Sequence, residues 1–177
     1  MLPPLMLALG LLSANGLQLP EPTPPAAELA HVQNTFRFAL PASFGRVAPF
    51  FGPEGERAWA GPHWNPEFLY PQPATDTEGA VFKVQHGQHT SLWVNTLFDL
   101  PNGRMQYVAI LDDLVVSIVN VKLTAIDPSH TAVEVTYTRT ALQPAANAHV
   151  RAMGDSDRDS GPDWQSSIEK CLLVQTK

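Results

Sequence analysis

The sequence has very little cysteine and little charge. Its 177 residues include a single cysteine, Cys171, which excludes an internal disulfide and a cysteine-based zinc cluster. Charged residues make up 16% of the chain, with a net charge of −6. Lysine and arginine never cluster, so the basic surface typical of nucleic-acid-binding proteins is missing. We therefore expect no nucleic-acid partner, no bound metal and no other cofactor.

The sequence also lacks an apolar run long enough for a transmembrane helix. Residues 5–12 are apolar, but a helical span needs about 20 such residues. Small residues follow at Ala14 and Gly16, so residues 1–16 resemble a secretory signal peptide, although the usual leading Lys or Arg is absent. We expect an exported or periplasmic protein if this signal is genuine, and a cytoplasmic protein otherwise.

Proline is abundant, with 17 residues, and many of them lie near the start of the chain. Residues 17–33 are therefore predicted to form a disordered, polyproline-like linker. The remaining residues, 34–177, carry patterned apolar runs and fit one domain with a sizeable core.

Alternating apolar residues predict about six antiparallel strands. The first is TFRFAL at residues 35–40. Five more follow one another across residues 79–142, joined by short turns such as the one at Asn102-Gly103. Each of these strands has one largely apolar face, which predicts a sheet that covers a core on one side.

The end of the chain predicts a helix that packs on this sheet. Trp164, Ile168 and Leu172 recur at helical spacing and form an apolar stripe. The only large apolar surface available to cover that stripe is the inner face of the sheet. The predicted fold is α+β: a curved antiparallel sheet around a long C-terminal helix, with a cavity between them.

The segment FGPEGERAWAGPHWNPEFLYP, residues 51–71, combines aromatic residues with four prolines. We interpret it as an irregular connection at the rim of the cavity. Its aromatic side chains are expected to pack on the core more than to contact a ligand. Glu56 and Arg57 are expected to form a solvated ion pair there.

Several motifs of the chain together indicate a known fold. They are Phe51 to Arg57 with Trp59, Trp64 with Pro66 and Phe68 to Pro71, Gly79 with Val81 and Phe82, Val135 to Leu142, and Gly161 to Leu172. These motifs resemble those of START-like helix-grip proteins of the SRPBCC superfamily. The resemblance covers residues 35–173 and implies the helix-grip fold. It implies no single activity, because this fold hosts lipid carriers, hormone receptors and cyclases.

Four polar residues share strand faces with apolar residues and are predicted to point inward: His86, Tyr107, Ser117 and Arg139. Inward polar groups need partners or a ligand, so they bond one another, contact a ligand, or turn outward at strand ends. A hairpin turn explains the pair of His86 and His89 without a metal. The candidate cavity residues are Trp59, Trp64, Phe68, Phe82, His86, Val94, Tyr107, Ser117, Tyr137, Arg139, Trp164 and Ile168.

The pattern predicts a protein that binds a small hydrophobic or amphipathic molecule, lipid-like or polyketide-like. One alternative is a cyclase or dehydratase acting on a hydrophobic substrate, with His86, Tyr107 or Arg139 as its polar groups. Another is a structural or interaction domain with a filled core. No catalytic residue is assigned, because no nucleophile motif or paired carboxylates are recognisable. Arg139 is better suited to anchor an anion than to act as an acid.

Overall fold

A seven-stranded antiparallel sheet forms the centre of the computed structural model, which describes residues 28–174. The strand order across the sheet is β1-β7-β6-β5-β4-β3-β2, and all neighbours are antiparallel. The expected signal peptide and most of the expected linker lie outside the described residues. The strands are β1 (His31–Leu40), β2 (Glu67–Tyr70), β3 (Val81–His86), β4 (His89–Asp99), β5 (Arg104–Leu111), β6 (Val115–Asp127) and β7 (His130–Ala141).

The sheet has one strand more than the six expected, because β2 forms inside the segment predicted to be irregular. Phe68 of β2 pairs with Phe82 of β3, and their rings stack with centroids 5.4 Å apart. Four residues flanked by prolines give too short a pattern to distinguish a strand from a loop by alternation. The pairing of these residues with β3 is what makes them a strand.

The first strand begins three residues before the expected domain boundary at Asn34. His31, Val32 and Gln33 pair with residues of β7 and continue the ladder that the rest of β1 forms. These three residues therefore belong to the sheet and not to a linker.

Short helices connect β1 to β2, and two longer helices follow the sheet. The connection contains α1 (Phe44–Val47), a 3-10 turn (Ala48–Phe51) and α2 (Pro53–Glu56). The C-terminal part contains α3 (Asn147–Asp159) and α4 (Gly161–Val174), and α4 is the helix predicted from the stripe of Trp164, Ile168 and Leu172. Pro162 explains the break between the two helices, because proline has no N–H to donate and crowds the preceding turn. Further 3-10 turns are Leu100–Asn102 and Pro144–Ala146.

The apolar stripe of α4 packs on the inner face of the sheet, as predicted. Ile168 is 0% exposed and Leu172 is buried beside it. The ring of Trp164 meets Phe36 of β1 edge-on, with centroids 5.3 Å apart. Within residues 28–174, no helix has the length and apolar character needed to cross a membrane.

Candidate functional site

A cavity of about 600 Å³ lies between the concave face of the sheet, α3, α4 and the segment that follows β1. Strands β3 to β7 supply its floor, and the segment after α2 supplies one wall. The side chains of the described residues leave this volume open. Its lining includes Glu56, Trp59, Ala60, Trp64, His86, His89, Ser91, Trp93, Tyr107, Ala109, Leu111, Ser117, Val119, Val121, Tyr137, Arg139, His149, Met153, Asp163, Trp164 and Ser167.

Four tryptophans make much of the wall. The rings of Trp59 and Trp164 lie 4.8 Å apart, and those of Trp64 and Trp93 lie 5.4 Å apart. The indole N–H of Trp59 donates to the Phe50 carbonyl at 2.8 Å. Those of Trp64 and Trp93 are also bonded to protein, so the polar atom of each of these rings is satisfied. All four tryptophans nevertheless line the cavity.

The segment carrying Glu56 is held by a close backbone approach at two glycines. A Cβ on Gly55 would lie 1.8 Å from the Pro49 carbonyl oxygen, and a Cβ on Gly52 would lie 2.1 Å from Asp76 Oδ2. The Asp76 carboxylate accepts from the backbone N–H of Glu54 at 2.8 Å and of Gly55 at 3.2 Å. A Cβ at Gly55 would collide with the backbone, so only glycine fits there, whereas a Cβ at Gly52 would displace the Asp76 carboxylate.

Glu56, the last residue of α2, lines the cavity. Its carboxyl forms no hydrogen bond or ion pair with any residue in the range 28–174. Burial raises the pKa of this carboxyl well above its usual range, and the nearby Asp76 adds to the effect. The expected ion pair with Arg57 is wrong, since Arg57 Nε donates to Glu54 at 2.8 Å instead.

Two tyrosines lie near the Glu56 carboxyl. The Tyr107 hydroxyl donates to the Phe51 carbonyl, which ties the floor of the cavity to the segment before α2. Burial raises the pKa of Tyr107 well above its usual range, with Glu56 contributing to the increase. Burial likewise raises the pKa of Tyr137, and Glu56 again contributes. Both phenols are therefore neutral hydrogen-bonding groups at physiological pH.

Arg139 forms a buried ion pair with Asp157 of α3. Its Nε and Nη2 each donate to the Asp157 carboxylate at 2.6 Å, and its Nη1 donates to Ser117 Oγ at 2.8 Å. The guanidinium carbon also lies 4.5 Å from the centre of the Tyr137 ring. The charge of Arg139 is thus already compensated, which leaves it poorly suited to the expected role of anion anchor.

His86 lies at the end of β3 and shares a hydrogen bond of 2.8 Å with Ser91 Oγ. Burial lowers the pKa of His86, and His89 adds to the effect. His89 itself contacts Asp112 Oδ2 at 2.6 Å, and Asp112 lies in the turn between β5 and β6. Across the described part of the chain, no three His, Cys, Asp or Glu residues are placed to share a metal ion.

Comparisons with solved structures identify the fold. A protein from Rhizobium leguminosarum is 17% identical with a TM-score of 0.59, covering 83% of this chain and 97% of that chain. Norcoclaurine synthase from Thalictrum flavum, solved with dopamine and hydroxybenzaldehyde, is 12% identical with a TM-score of 0.61, covering 84% and 90%. DynU16, a protein of the dynemicin biosynthetic locus, is 15% identical with a TM-score of 0.55, covering 81% and 48%.

This chain has the helix-grip fold. The resemblance to START-like proteins predicted from the motifs is confirmed at the level of the fold, which is all that such low identities show. No protein-family model and no curated protein matches the sequence.

Eight of the twelve candidate residues line the helix-grip cavity. They are Trp59, Trp64, His86, Tyr107, Ser117, Tyr137, Arg139 and Trp164. Whether any of them contacts a ligand stays a prediction.

The other four candidates lie elsewhere. Phe68, Phe82 and Ile168 belong to the core, where Phe82 stacks between Phe68 and Trp93. Val94 points away from the cavity, because its neighbour Trp93 lines the cavity and successive strand residues face opposite sides.

The error at Val94 has a physical cause in β4. Both faces of this strand carry apolar residues, so alternation alone does not identify the inner face. The register shifts between Asn95 and Leu97, and the shift brings Phe98 onto the core although it shares sequence parity with Val94. Alternation along the strand therefore does not identify the inner-face residues on both sides of the register shift.

The lining residues that the sequence analysis missed include Glu56, Ser91 and Trp93. Ser91 and Trp93 alternate with Leu92 and Val94, so the opposite choice of face would have found them. Glu56 and the Arg139 partner Asp157 lie on helices whose packing depends on residues far away in the chain. The Gly-Pro-Glu-Gly-Glu spacing of residues 52–56 is the one local signal that indicated a tightly held acidic turn.

Proposed function

We propose that this protein binds a small, largely apolar molecule in the cavity between the sheet and the C-terminal helices. The observation that carries the proposal is the open volume of about 600 Å³ lined by four tryptophans and two tyrosines. Cavities of about 300–1,000 Å³ with aromatic linings and a few polar groups are typical of small-molecule sites. The helix-grip neighbour norcoclaurine synthase was solved with two small aromatic molecules, which supports an aromatic ligand here.

Two neighbouring residues of β5 allow a matched test of binding. Ala109 lines the cavity and is 5% exposed, whereas Ile110 faces outward and is 38% exposed. Ala109→Phe fills part of the cavity, and Ile110→Phe adds a ring of the same kind to the outer surface. We expect wild type and Ile110→Phe to enhance the fluorescence of N-phenylnaphthylamine, a neutral apolar probe, and Ala109→Phe to lose most of the enhancement.

Native mass spectrometry of gently purified protein provides an independent measurement. A retained small molecule in wild type that is absent from Ala109→Phe supports the proposal. Equal probe binding by both variants would show that the probe binds outside the cavity. If wild type neither binds the probe nor retains any small molecule, the proposed function is overturned.

A second candidate function is acid–base catalysis on a bound hydrophobic substrate, as in a cyclase or dehydratase. Glu56 favours it, because burial raises the pKa of this cavity-lining carboxyl, which therefore keeps its proton to higher pH than an exposed glutamate does. The Tyr137 hydroxyl also lines the cavity and forms no hydrogen bond within residues 28–174, so it is free to contact a substrate.

Incubation with an organic extract of cells, followed by mass spectrometry of the small molecules, tests this candidate. A new mass formed by wild type and by Ile110→Phe but not by Glu56→Gln supports catalysis. Conversion that persists in Glu56→Gln excludes Glu56 as the acid or base.

A further inference from the structure

The described residues that line the cavity include no uncompensated permanent cation. Among them Arg139 is the one Lys or Arg side chain, and all three of its guanidinium nitrogens already donate to Asp157 or Ser117. A ligand with a carboxylate or phosphate group would have to compete with the Asp157 carboxylate, which accepts at 2.6 Å from two nitrogens. An anionic ligand such as a fatty acid therefore finds no free arginine or lysine among these lining residues.

The opposite holds for a cationic ligand. The carboxyl of Glu56 lines the same cavity, is partly buried, and has no hydrogen-bond or ion-pair partner among residues 28–174. A partly buried carboxyl without a protein partner is available to a ligand that enters the cavity, and pairing with a cation there offsets the cost of removing it from water.

The aromatic wall supplies a second attraction for a cation. The faces of tryptophan and tyrosine rings are electron-rich and attract ammonium groups within about 6 Å. Trp59 follows Glu56 by three residues and lies 4.8 Å from Trp164, and both rings line the cavity. Tyr137 lies close enough to Glu56 for the carboxylate to affect its titration. A carboxyl and several aromatic rings that line one cavity are a combination that can recognise an apolar amine.

We propose that the ligand of this cavity is a small aromatic or apolar amine whose ammonium group pairs with the Glu56 carboxylate against the surrounding aromatic rings. This inference rests on the proposed function, because it requires that the cavity bind a small molecule. It narrows the ligand class from apolar molecules in general to apolar cations.

Binding of such an amine has a proton signature. In the empty cavity, burial and the neighbouring Asp76 favour the protonated form of Glu56. An entering ammonium group favours the carboxylate, so the carboxyl releases its proton to the buffer when the amine binds. Within residues 28–174, the titratable groups whose charges couple with Glu56 are Asp76, Tyr107 and Tyr137, and none of these three is a cation that would replace the ligand.

The test compares three competitors that share one ring and differ in charge. Naphthylethylamine is a cation, ethylnaphthalene is neutral and naphthylacetate is an anion near neutral pH. Each competes with N-phenylnaphthylamine for wild type, for Glu56→Gln and for Glu67→Gln. Glu67 is exposed and lies eleven positions away on β2, so Glu67→Gln removes the same charge from the protein without changing the cavity.

We expect wild type and Glu67→Gln to bind the amine at least about tenfold more tightly than the neutral competitor, and the anion most weakly. Glu56→Gln is expected to lose this preference for the amine while its affinity for ethylnaphthalene is unchanged. Calorimetry in buffers with different ionisation enthalpies should detect proton release when wild type binds the amine, and none for Glu56→Gln.

The possible failures separate the inference from the proposed function. If wild type binds the neutral competitor as tightly as the amine, or prefers the anion, the amine inference is overturned and the proposed function stands. A preference for the amine that persists in Glu56→Gln also overturns it. If none of the competitors and no probe binds wild type, the proposed function itself fails. Should Glu56→Gln not fold, the order of affinities and the proton release of wild type still decide.

Discussion

Two carboxyl groups close to the cavity differ in their partners. Asp157 of α3 accepts two hydrogen bonds from Arg139 at 2.6 Å, and Arg139 in turn donates to Ser117. Glu56 of α2 lines the cavity and has no such partner within the described residues. In the first arrangement every charged group has a partner, as expected of polar groups that hold a fold together. The second leaves a carboxyl available to a ligand, which is why we propose a binding role for Glu56 and a structural role for Arg139 and Asp157.

The largest effect on stability is expected when the buried ion pair of Arg139 and Asp157 is broken. Arg139→Ala leaves the Asp157 carboxylate buried without a partner, and should lower the free energy of unfolding by about 3–5 kcal/mol. Urea unfolding measured by circular dichroism gives this value.

An ion pair on the outer face of β1 and β7 provides the matched control. Arg37 pairs with Glu134 at 2.6 Å, but the side chains are 69% and 38% exposed, against 12% and 8% for Arg139 and Asp157. Arg37→Ala should cost about 1 kcal/mol or less, because water screens exposed pairs. Equal costs for the two alanine variants would contradict a structural role for the buried pair.

A smaller loss is expected when the backbone that holds Glu56 is disturbed. Gly55→Ala places a Cβ 1.8 Å from the Pro49 carbonyl oxygen, so the segment must shift, at a cost of about 1–3 kcal/mol. The fluorescent probe should also bind more weakly, because Glu56 and Trp59 move with the segment. Thermal unfolding and probe titration measure the two effects.

Gly45 of α1 offers the control for this change. A Cβ there would meet nothing within 4 Å, so Gly45→Ala should leave probe binding unchanged and stabilise the protein by less than about 1 kcal/mol. If Gly55→Ala behaves like Gly45→Ala, the close approach does not determine the position of Glu56.

The smallest change in stability is expected from Glu56→Gln, and it depends on pH. In the unfolded chain a glutamate loses its proton near pH ~4.3, whereas burial makes the folded protein retain it to higher pH. Above that pH the folded state binds more protons than the unfolded state, so wild-type stability falls as pH rises towards the folded-state pKa. Glu56→Gln should show a shallower fall and greater stability than wild type at the alkaline end.

Urea unfolding across a pH series measures this difference, with Glu67→Gln as the control for loss of one exposed carboxylate. Asp76, whose pKa burial also raises, accounts for the slope that remains in Glu56→Gln. Identical pH profiles for wild type and Glu56→Gln would contradict the burial of an uncompensated carboxyl.

The two halves of the domain differ in how well their sequences predict them. Alternation places most inner-face residues of β6 and β7 correctly, because Ser117, Tyr137 and Arg139 lie on uninterrupted stretches of strand. In β4 both faces are apolar and the register shifts after Asn95, so Val94 was assigned to the wrong side. Pattern recognition succeeds where one face is clearly polar and the register is continuous.

Local patterns in the sequence determined six of the seven strands, all but β2, and the apolar stripe of α4, and with them the helix-grip fold, since each depends on the spacing of residues that are neighbours along the chain. Only the tertiary structure decided which polar groups in the cavity have partners. Arg139 meets Asp157 across 18 positions, and Tyr107 meets Phe51 across 56. Such contacts depend on where separate elements pack, which local spacing does not encode. For the same reason Glu56 resembles an ordinary surface residue in the sequence, and only the folded chain places its carboxyl in the cavity with no partner among residues 28–174.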